Sequence, residues 1–470
     1  MIERAWGRVA LFGVILCLGM GQVTNALASA AEPASPPVRP GALAAVTDQD
    51  AAQQLQNAQR TQQATRASLR ILGGGSRCSD ARYVAYKRSD REPDIVDQWY
   101  VVSQLWADAT LISADRERPR ARTDLRGIVN QARAPAFDAR EARCNLDKGF
   151  VFLDRLWDDD DGGYYPRSNP NGSKISRKTQ FADDNALAGL ALLAAAESAD
   201  DTRSRDYYLY AATQEAEYLQ ESGLWDDTFG GGFWWSTGLG DSDEGKPAQT
   251  NALAALFFAR LYGVTGDPAH RDAAWSTLGW LDAALYDDQR NLYRWSVRYE
   301  RPDRKTGGPV RGDRYFNYDQ AIAIQAQLAM AAIDGDPNRV TRAKAVGESM
   351  HTAFWARERG GYNLEAGVEQ VFTSYAAWAS MGHLALYATD GDEKWLTMAR
   401  ANANAMAATV AESDGSYAYR HYPCQDPRAP GCNGGRVRWV VDHTRDTAAQ
   451  AWAQHLQTAL AWSATLRRAP

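Results

Sequence analysis

Apolar residues recur every three to four positions through twelve stretches of the chain. Their approximate limits are 47–71, 94–113, 136–157, 182–198, 204–223, 248–264, 268–285, 316–333, 337–355, 373–389, 392–411 and 443–465. Each is read as an α-helix. The polar breaks Thr265-Gly266-Asp267, Asp334-Gly335-Asp336 and Asp390-Gly391-Asp392 share one chemistry. Glycine suits the left-handed residue that ends a helix, and aspartate caps the start of the next. Aromatic segments punctuate the longer intervals at Leu156-Trp157-Asp158, Leu224-Trp225-Asp226, Leu285-Tyr286-Asp287 and Phe354-Trp355-Ala356, spaced by 68, 61 and 69 residues. So regular a period marks a repeat of helical hairpins, six in number if the first helix pairs with the last.

The helices alternate in character. Those opening near 182, 248, 316 and 373 are rich in Ala and Leu with few charges, a composition expected of a helix buried all round. Those opening near 204, 268, 337 and 392 carry charges on one face, including Asp272, Asp282, Arg342, Lys344 and Arg400. An inner ring sheathed by an outer one follows: an all-α (α/α)6 toroid. In such a ring the inner-helix N-termini and the aromatic loops gather at one end and form a cleft.

A chain of 470 residues exceeds the usual single-domain size unless its architecture is closed on itself. Arg4 and Arg8, the apolar run Val9 to Met20 and the small residues Ala26 to Ala30 read as a secretory signal over 1–30. A Pro/Ala-rich linker over 31–46 follows, then a single catalytic domain over 47–470. Export to the periplasm or exterior is expected, with no stable membrane insertion once the signal is cleaved. The net charge of −6 with no basic stripe argues against nucleic acid as a partner. The 16 Trp and 21 Tyr are many for a chain of this size; core packing accounts for many of them, and flat ligand faces also select aromatic platforms.

The sharpest chemical signal is Phe181-Ala182-Asp183-Asp184-Asn185 at the opening of a buried helix. Aspartates cap helices, and the dipole favours them there. Two acids fronting an apolar inner helix go beyond that need. A retaining glycosidase requires two carboxyls about 5 to 5.5 Å apart, one as nucleophile and one as proton donor. The helix terminus would keep one ionised, while the neighbouring charge would raise the other's pKa.

After this pair come Gly230-Gly231-Gly232-Phe233-Trp234-Trp235-Ser236, then Thr250-Asn251-Ala252-Leu253, Leu261-Tyr262-Gly263-Val264-Thr265-Gly266-Asp267 and Phe316-Asn317-Tyr318-Asp319-Gln320. In this order the set resembles glycoside hydrolase family 76 over roughly residues 90 to 465. The resemblance implies an endo-acting α-1,6-mannanase-like retaining enzyme on an (α/α)6 toroid, with Asp183 as nucleophile and Asp184 as general acid/base. An oligo- or polysaccharide of α-mannan type would be the substrate. Two departures stand out: Ala182, Ala186 and Leu187 occupy places where the family carries aromatics, and Asp319 stands where Asn is usual. Reduced sugar-stacking surface beside the scissile bond is therefore expected. Transglycosylation, action on another α-linked glycan, or a non-catalytic glycan-binding or envelope role remain alternatives.

Asn185, Trp234, Trp235, Asn251, Tyr318, Asp319, Asp97 and Trp99 complete the candidate substrate-binding set, with capping or core packing the competing reading for several of them. The triglycine beside the tryptophans is read as a loop pressed against ligand. His443 could face the cleft or lie at the surface. The run Asp158 to Asp161 lacks the spacing and bidentate Glu of a calcium loop, and neither a metal site nor a cofactor is expected. Cys78, Cys144, Cys424 and Cys432 allow two bridges in three connectivities, Cys424 with Cys432 being the best local pair. A monomer is expected.

Overall fold

The computed structural model describes residues 48–71, 82–83, 86–87, 96–117, 138–169, 173, 179–239, 245–425, 428, 431–433 and 438–466. The segments expected to be a signal (1–30) and a linker (31–46), and Cys78, lie outside them. Twelve α-helices are present among the described residues: α1 (Asp48–Leu69), α2 (Gln98–Glu117), α3 (Ala139–Leu153), α4 (Ala182–Ser198), α5 (Thr202–Glu221), α6 (Ala248–Thr265), α7 (Pro268–Leu285), α8 (Asn317–Asp334), α9 (Pro337–Phe354), α10 (Thr373–Asp390), α11 (Glu393–Thr409) and α12 (Thr447–Leu466).

The even-numbered helices pack side by side in the order α2, α4, α6, α8, α10, α12 and back to α2, which closes a ring. Each is backed by one outer helix: α3 on α2, α5 on α4, α7 on α6, α9 on α8, α11 on α10 and α1 on α12. This is the six-hairpin toroid expected from the alternation, with the first helix paired to the last. Burial follows composition. Of the seventeen residues of α4, fifteen are buried, whereas α11 buries only Trp395, Leu396, Ala399, Asn402 and Met406.

Hairpin breaks behave as their chemistry requires. Gly266, Gly335 and Gly391 adopt φ of 70°, 71° and 71° and end α6, α8 and α10. The next residues Asp267, Asp336 and Asp392 accept hydrogen bonds from Ala269, Asn338 and Lys394 backbone N–H groups at 2.9, 2.9 and 3.0 Å. Each such cap contributes roughly 1 kcal/mol.

Several helix limits differ from expectation where short strands or bridges claim the ends. Val96–Asp97 pairs with Arg167–Ser168 and delays α2 to Gln98. Trp157 bridges Tyr164 instead of extending α3. Arg445–Asp446 pairs with Tyr86–Lys87, so α12 begins at Thr447. At the inner-helix N-terminal end, two three-stranded antiparallel sheets decorate the ring. One joins Lys246–Pro247, Ser296–Arg301 and Thr306–Arg311; the other joins Val371–Phe372, Arg420–Pro423 and Trp439–Asp442. Cys424 and Cys432 form a disulfide in the connection between the last two strands. Cys144 is disulfide-bonded as well.

Among the described residues no helix is long and apolar enough to cross a membrane, and no cluster of His, Cys, Asp and Glu could hold a metal ion.

Candidate active site

Because the inner helices run in one direction, their first turns share one end of the ring. Asp183 and Asp184 are the second and third residues of α4. Asp183 is buried, and Asp184 keeps part of its surface open. The two carboxyls meet different surroundings. Asp183 accepts the indole N–H of Trp235 at Oδ2 (3.1 Å) and the backbone N–H of Asp184 at Oδ1 (3.1 Å). Both bonds favour an ionised carboxylate. Asp184 is held well above the usual carboxylate range, by desolvation first and then by the charges of Asp183 and Asp97; Arg167 opposes them. The two carboxyls are thus held differently: the first accepts two N–H donors, and the second is pushed toward its protonated form.

The start of α2 is fastened to this point. Gln98 Nε2 donates to the Asp184 carbonyl at 3.1 Å, and its backbone N–H donates to Pro166 O at 2.8 Å. Asp97 accepts Arg167 Nε at 2.9 Å. Burial raises the Asp97 pKa, and the Arg167 hydrogen bond and charge counter it. At the head of the neighbouring helix, Asp446 accepts Ala449 N–H at 2.7 Å and the Tyr100 hydroxyl. Burial pushes its carboxyl up to about 7.

Aromatic rings line the opening. Trp235 packs on Phe181 at 4.7 Å beside the acid pair. On the far side Tyr318 meets Tyr375 at 4.9 Å and Phe316 at 5.3 Å. Trp99 and Trp378 meet edge to face at 5.6 Å although α12 separates their helices in the ring, so they close the lumen beneath the opening. Trp99, Tyr100, Phe181, Trp235, Tyr318, Tyr375 and Tyr419 all keep partial exposure there. The expected shortage of stacking surface is therefore not found. Ala182, Ala186 and Leu187 are fully buried between helices, where aromatics could not meet a sugar.

Four candidate substrate contacts are corrected. Asn185 and Asn251 are buried and their amides are used up on backbone: Asn185 receives Tyr164 N–H and donates to Phe181 O, while Asn251 receives Phe233 N–H and donates to Phe233 O and Pro247 O. Gln320 and Gln450 clamp Tyr293 and Tyr417 in the same way. The fourth residue of an inner helix is thus a repeated tie to the preceding aromatic loop. Trp234 is 1% exposed, stacks on Tyr299 at 5.6 Å and donates to Asp226 Oδ2 at 2.9 Å, so it is core. Asp319 is fully buried within α8 and presents no surface to a ligand.

The triglycine answers to packing. Gly230, Gly231 and Gly232 have φ of 83°, 119° and 88°, and a Cβ on Gly232 would lie 2.5 Å from the Trp280 ring. Of the remaining candidates, Asp97, Trp99, Trp235 and Tyr318 come together with Asp183 and Asp184. Sequence reasoning missed Arg167, Gln98, Tyr100, Tyr375 and Asp446. Only Gln98 and Tyr100, flanking Asp97 and Trp99, lay near a signal. His443 is largely exposed and bonds Glu412 Oε1 at 2.6 Å. None of the six histidines occupies the first turn of an inner helix.

Residues 161–381 match the profile of glycosyl hydrolase family 76. No curated protein matches the chain. Among solved structures, a family 76 α-mannanase from Bacteroides thetaiotaomicron superposes with a TM-score of 0.64 at 17% identity, over 88% of this chain and 97% of that one. An α-1,6-mannanase from Salegentibacter sp. HEL1_6 does so with a TM-score of 0.59 at 18% identity, over 87% and 99%. A cellobiose 2-epimerase from Bacillus thermoamylovorans B4167 shares the fold at 11% identity, TM-score 0.62, over 88% and 99%.

Proposed function

With residues 161–381 forming a glycosyl hydrolase family 76 domain as the premise, we propose that the protein is an endo-acting, retaining α-1,6-mannanase using Asp183 and Asp184. One observation carries the reading: two adjacent carboxyls at one helix opening, the first bonded by two N–H donors and the second pushed well above the usual carboxylate range by desolvation and by neighbouring negative charge. Asp183 attacks the anomeric carbon while Asp184 passes its proton to the departing glycosidic oxygen. A covalent mannosyl ester on Asp183 results. Asp184, now a base, takes a proton from water, which attacks the same carbon and releases the sugar with its configuration retained.

Further support comes from Salegentibacter. Its α-1,6-mannanase, inactivated by replacing two consecutive aspartates with alanine, is known in complex with α-1,6-mannotetrose. The rings at the opening here offer platforms for such a chain, with Trp235 and Phe181 beside the scissile bond and Trp99, Tyr318 and Tyr375 facing them. Ala182, Ala186 and Leu187 are buried between helices, so they do not weigh toward a non-catalytic glycan-binding role. Epimerase chemistry lacks a histidine at any inner-helix opening. The leader is consistent with export to where mannan is met.

Asp183→Asn and Asp184→Asn are each expected to reduce hydrolysis of α-1,6-mannan by about a thousandfold or more, as removal of either half of a catalytic pair does, with unchanged thermal unfolding. Reducing-end release would measure the first and calorimetry the second. Near wild-type turnover in both variants would remove the assignment.

A further inference from the structure

Lys246 stands two residues before α6, and its side chain is entirely buried. An ammonium without water is tolerated only when its protons all find acceptors. Four oxygens surround this one: Asp226 Oδ1 at 2.6 Å, Gly231 O at 2.7 Å, Thr228 O at 2.8 Å and Asp226 O at 3.0 Å. The Trp234 ring lies 4.8 Å away. All four oxygens belong to the six residues 226–231, in which Phe229, Gly230 and Gly231 take positive φ. The cation is the hub around which this loop is wound.

The loop leads to the acid pair. Trp234 N–H returns to Leu224 O at 2.8 Å, and its indole bonds the same Asp226 that binds the ammonium. Trp235 N–H then donates to Gly245 O at 2.9 Å, the carbonyl that immediately precedes Lys246. From that fixed backbone the Trp235 indole reaches Asp183 Oδ2, and the Trp235 carbonyl receives Ala182 N–H at 2.9 Å. The first turn of α4 and the indole that touches its acid therefore share one support.

We infer that Lys246 is a positioning residue for Asp183: by gathering the carbonyls of the 226–231 loop it sets the Trp235 indole N–H against the attacking carboxylate. The inference rests on the catalytic reading of the pair. Lys246 touches neither substrate nor reacting atoms, and its effect passes through Trp235. Among the described residues, the charged groups acting on it are Asp226 and Asp227.

The test compares Lys246→Met, Trp235→Phe and the double variant in the full chain on α-1,6-mannan. Each single variant is expected to lower kcat about tenfold or more with KM within about twofold. Each should also move the acid limb of the kcat–pH profile upward, because Asp183 loses a donor that favours its charged form. The double variant should be no worse than the poorer single, since both changes cut one path. Asp226→Asn, which keeps the shape but weakens the hold on the ammonium, is expected to shift the limb the same way and serves if Lys246→Met fails to fold. Lower melting temperatures with kcat and acid limb unchanged, or effects of Lys246→Met and Trp235→Phe that multiply, would overturn the inference. Asp183→Asn is run alongside: full turnover in that control sinks the catalytic reading, while its inactivity with unaltered limbs in the Lys246 and Trp235 variants sinks only the positioning role.

Discussion

Asp97 illustrates how a residue outside the proposed catalytic pair can set its protonation. Its charge helps hold the proton on Asp184, and Arg167, bonded to it at 2.9 Å, works in the opposite direction. Asp97→Asn removes the negative partner and leaves the guanidinium, so Asp184 gives up its proton more readily. The basic limb of the activity profile is expected to move to lower pH. Asn caps a helix about as well as Asp, and an ion pair whose arginine is mostly exposed contributes less than about 1 kcal/mol, so the melting temperature should barely change. An unchanged basic limb in a folded, active variant would show that Asp97 does not act on Asp184. The aspartate pair was legible as a candidate site because two acids at the head of an apolar helix make poor sense as caps alone. Arg167 was not, since it sits in an irregular segment with no periodicity and reaches Asp97 only through a two-residue strand pairing.

At the scale of elements, the amides on the fourth residue of α4, α6, α8 and α12 change how the aromatic repeat is understood. Asn185, Asn251, Gln320 and Gln450 each bond the backbone of a loop aromatic, and so convert a recurring loop into a recurring brace. In α10 the same place is Ala376, and in α2 it is Val101, so the brace is confined to part of the ring. Asn251→Ala would strand the Phe233 N–H and C=O in a dry interior at a cost on the order of 3 kcal/mol. Urea unfolding should report that loss, with mannan hydrolysis falling at temperatures well below the wild-type transition because the same loop carries Trp235. A loss under about 0.5 kcal/mol would mean water or a neighbour replaces the amide. From sequence alone a polar residue at a helix opening fits either a ligand contact or a tie to backbone. Only the loop's path distinguishes them, and it depends on left-handed residues whose partners lie tens of positions away.

For the whole molecule, the ring was readable because its signals are cumulative: apolar inner helices, charged outer ones and capped breaks recur often enough to fix the count. The sheets at the opening were not, since most of their strands span two to four residues, too few to show alternation. Closure also gathers ionisable groups into the interior, and they pull stability in opposite directions with pH. His455, stacked on Trp452 at 5.3 Å and packed on Trp106, is pushed down to about 3 by burial. Unfolding lets it regain an ordinary value near 6.5, so the unfolded state binds the extra proton and stability is lost as pH falls from about 6.5 toward 3, by about 1.4 kcal/mol per unit. Glu215, buried in α5, is raised well above its ordinary range by desolvation. Its contribution is fully present below the unfolded value of about 4.5 and is lost as pH rises through the folded one. His455→Phe, which keeps a ring for the stack, should therefore gain on the wild type as the medium is acidified. Glu215→Gln should gain as it is made neutral. Urea unfolding of both variants at pH 5 and 7 reads the two slopes; curves parallel to the wild type would show that neither group is excluded from water in the folded ring.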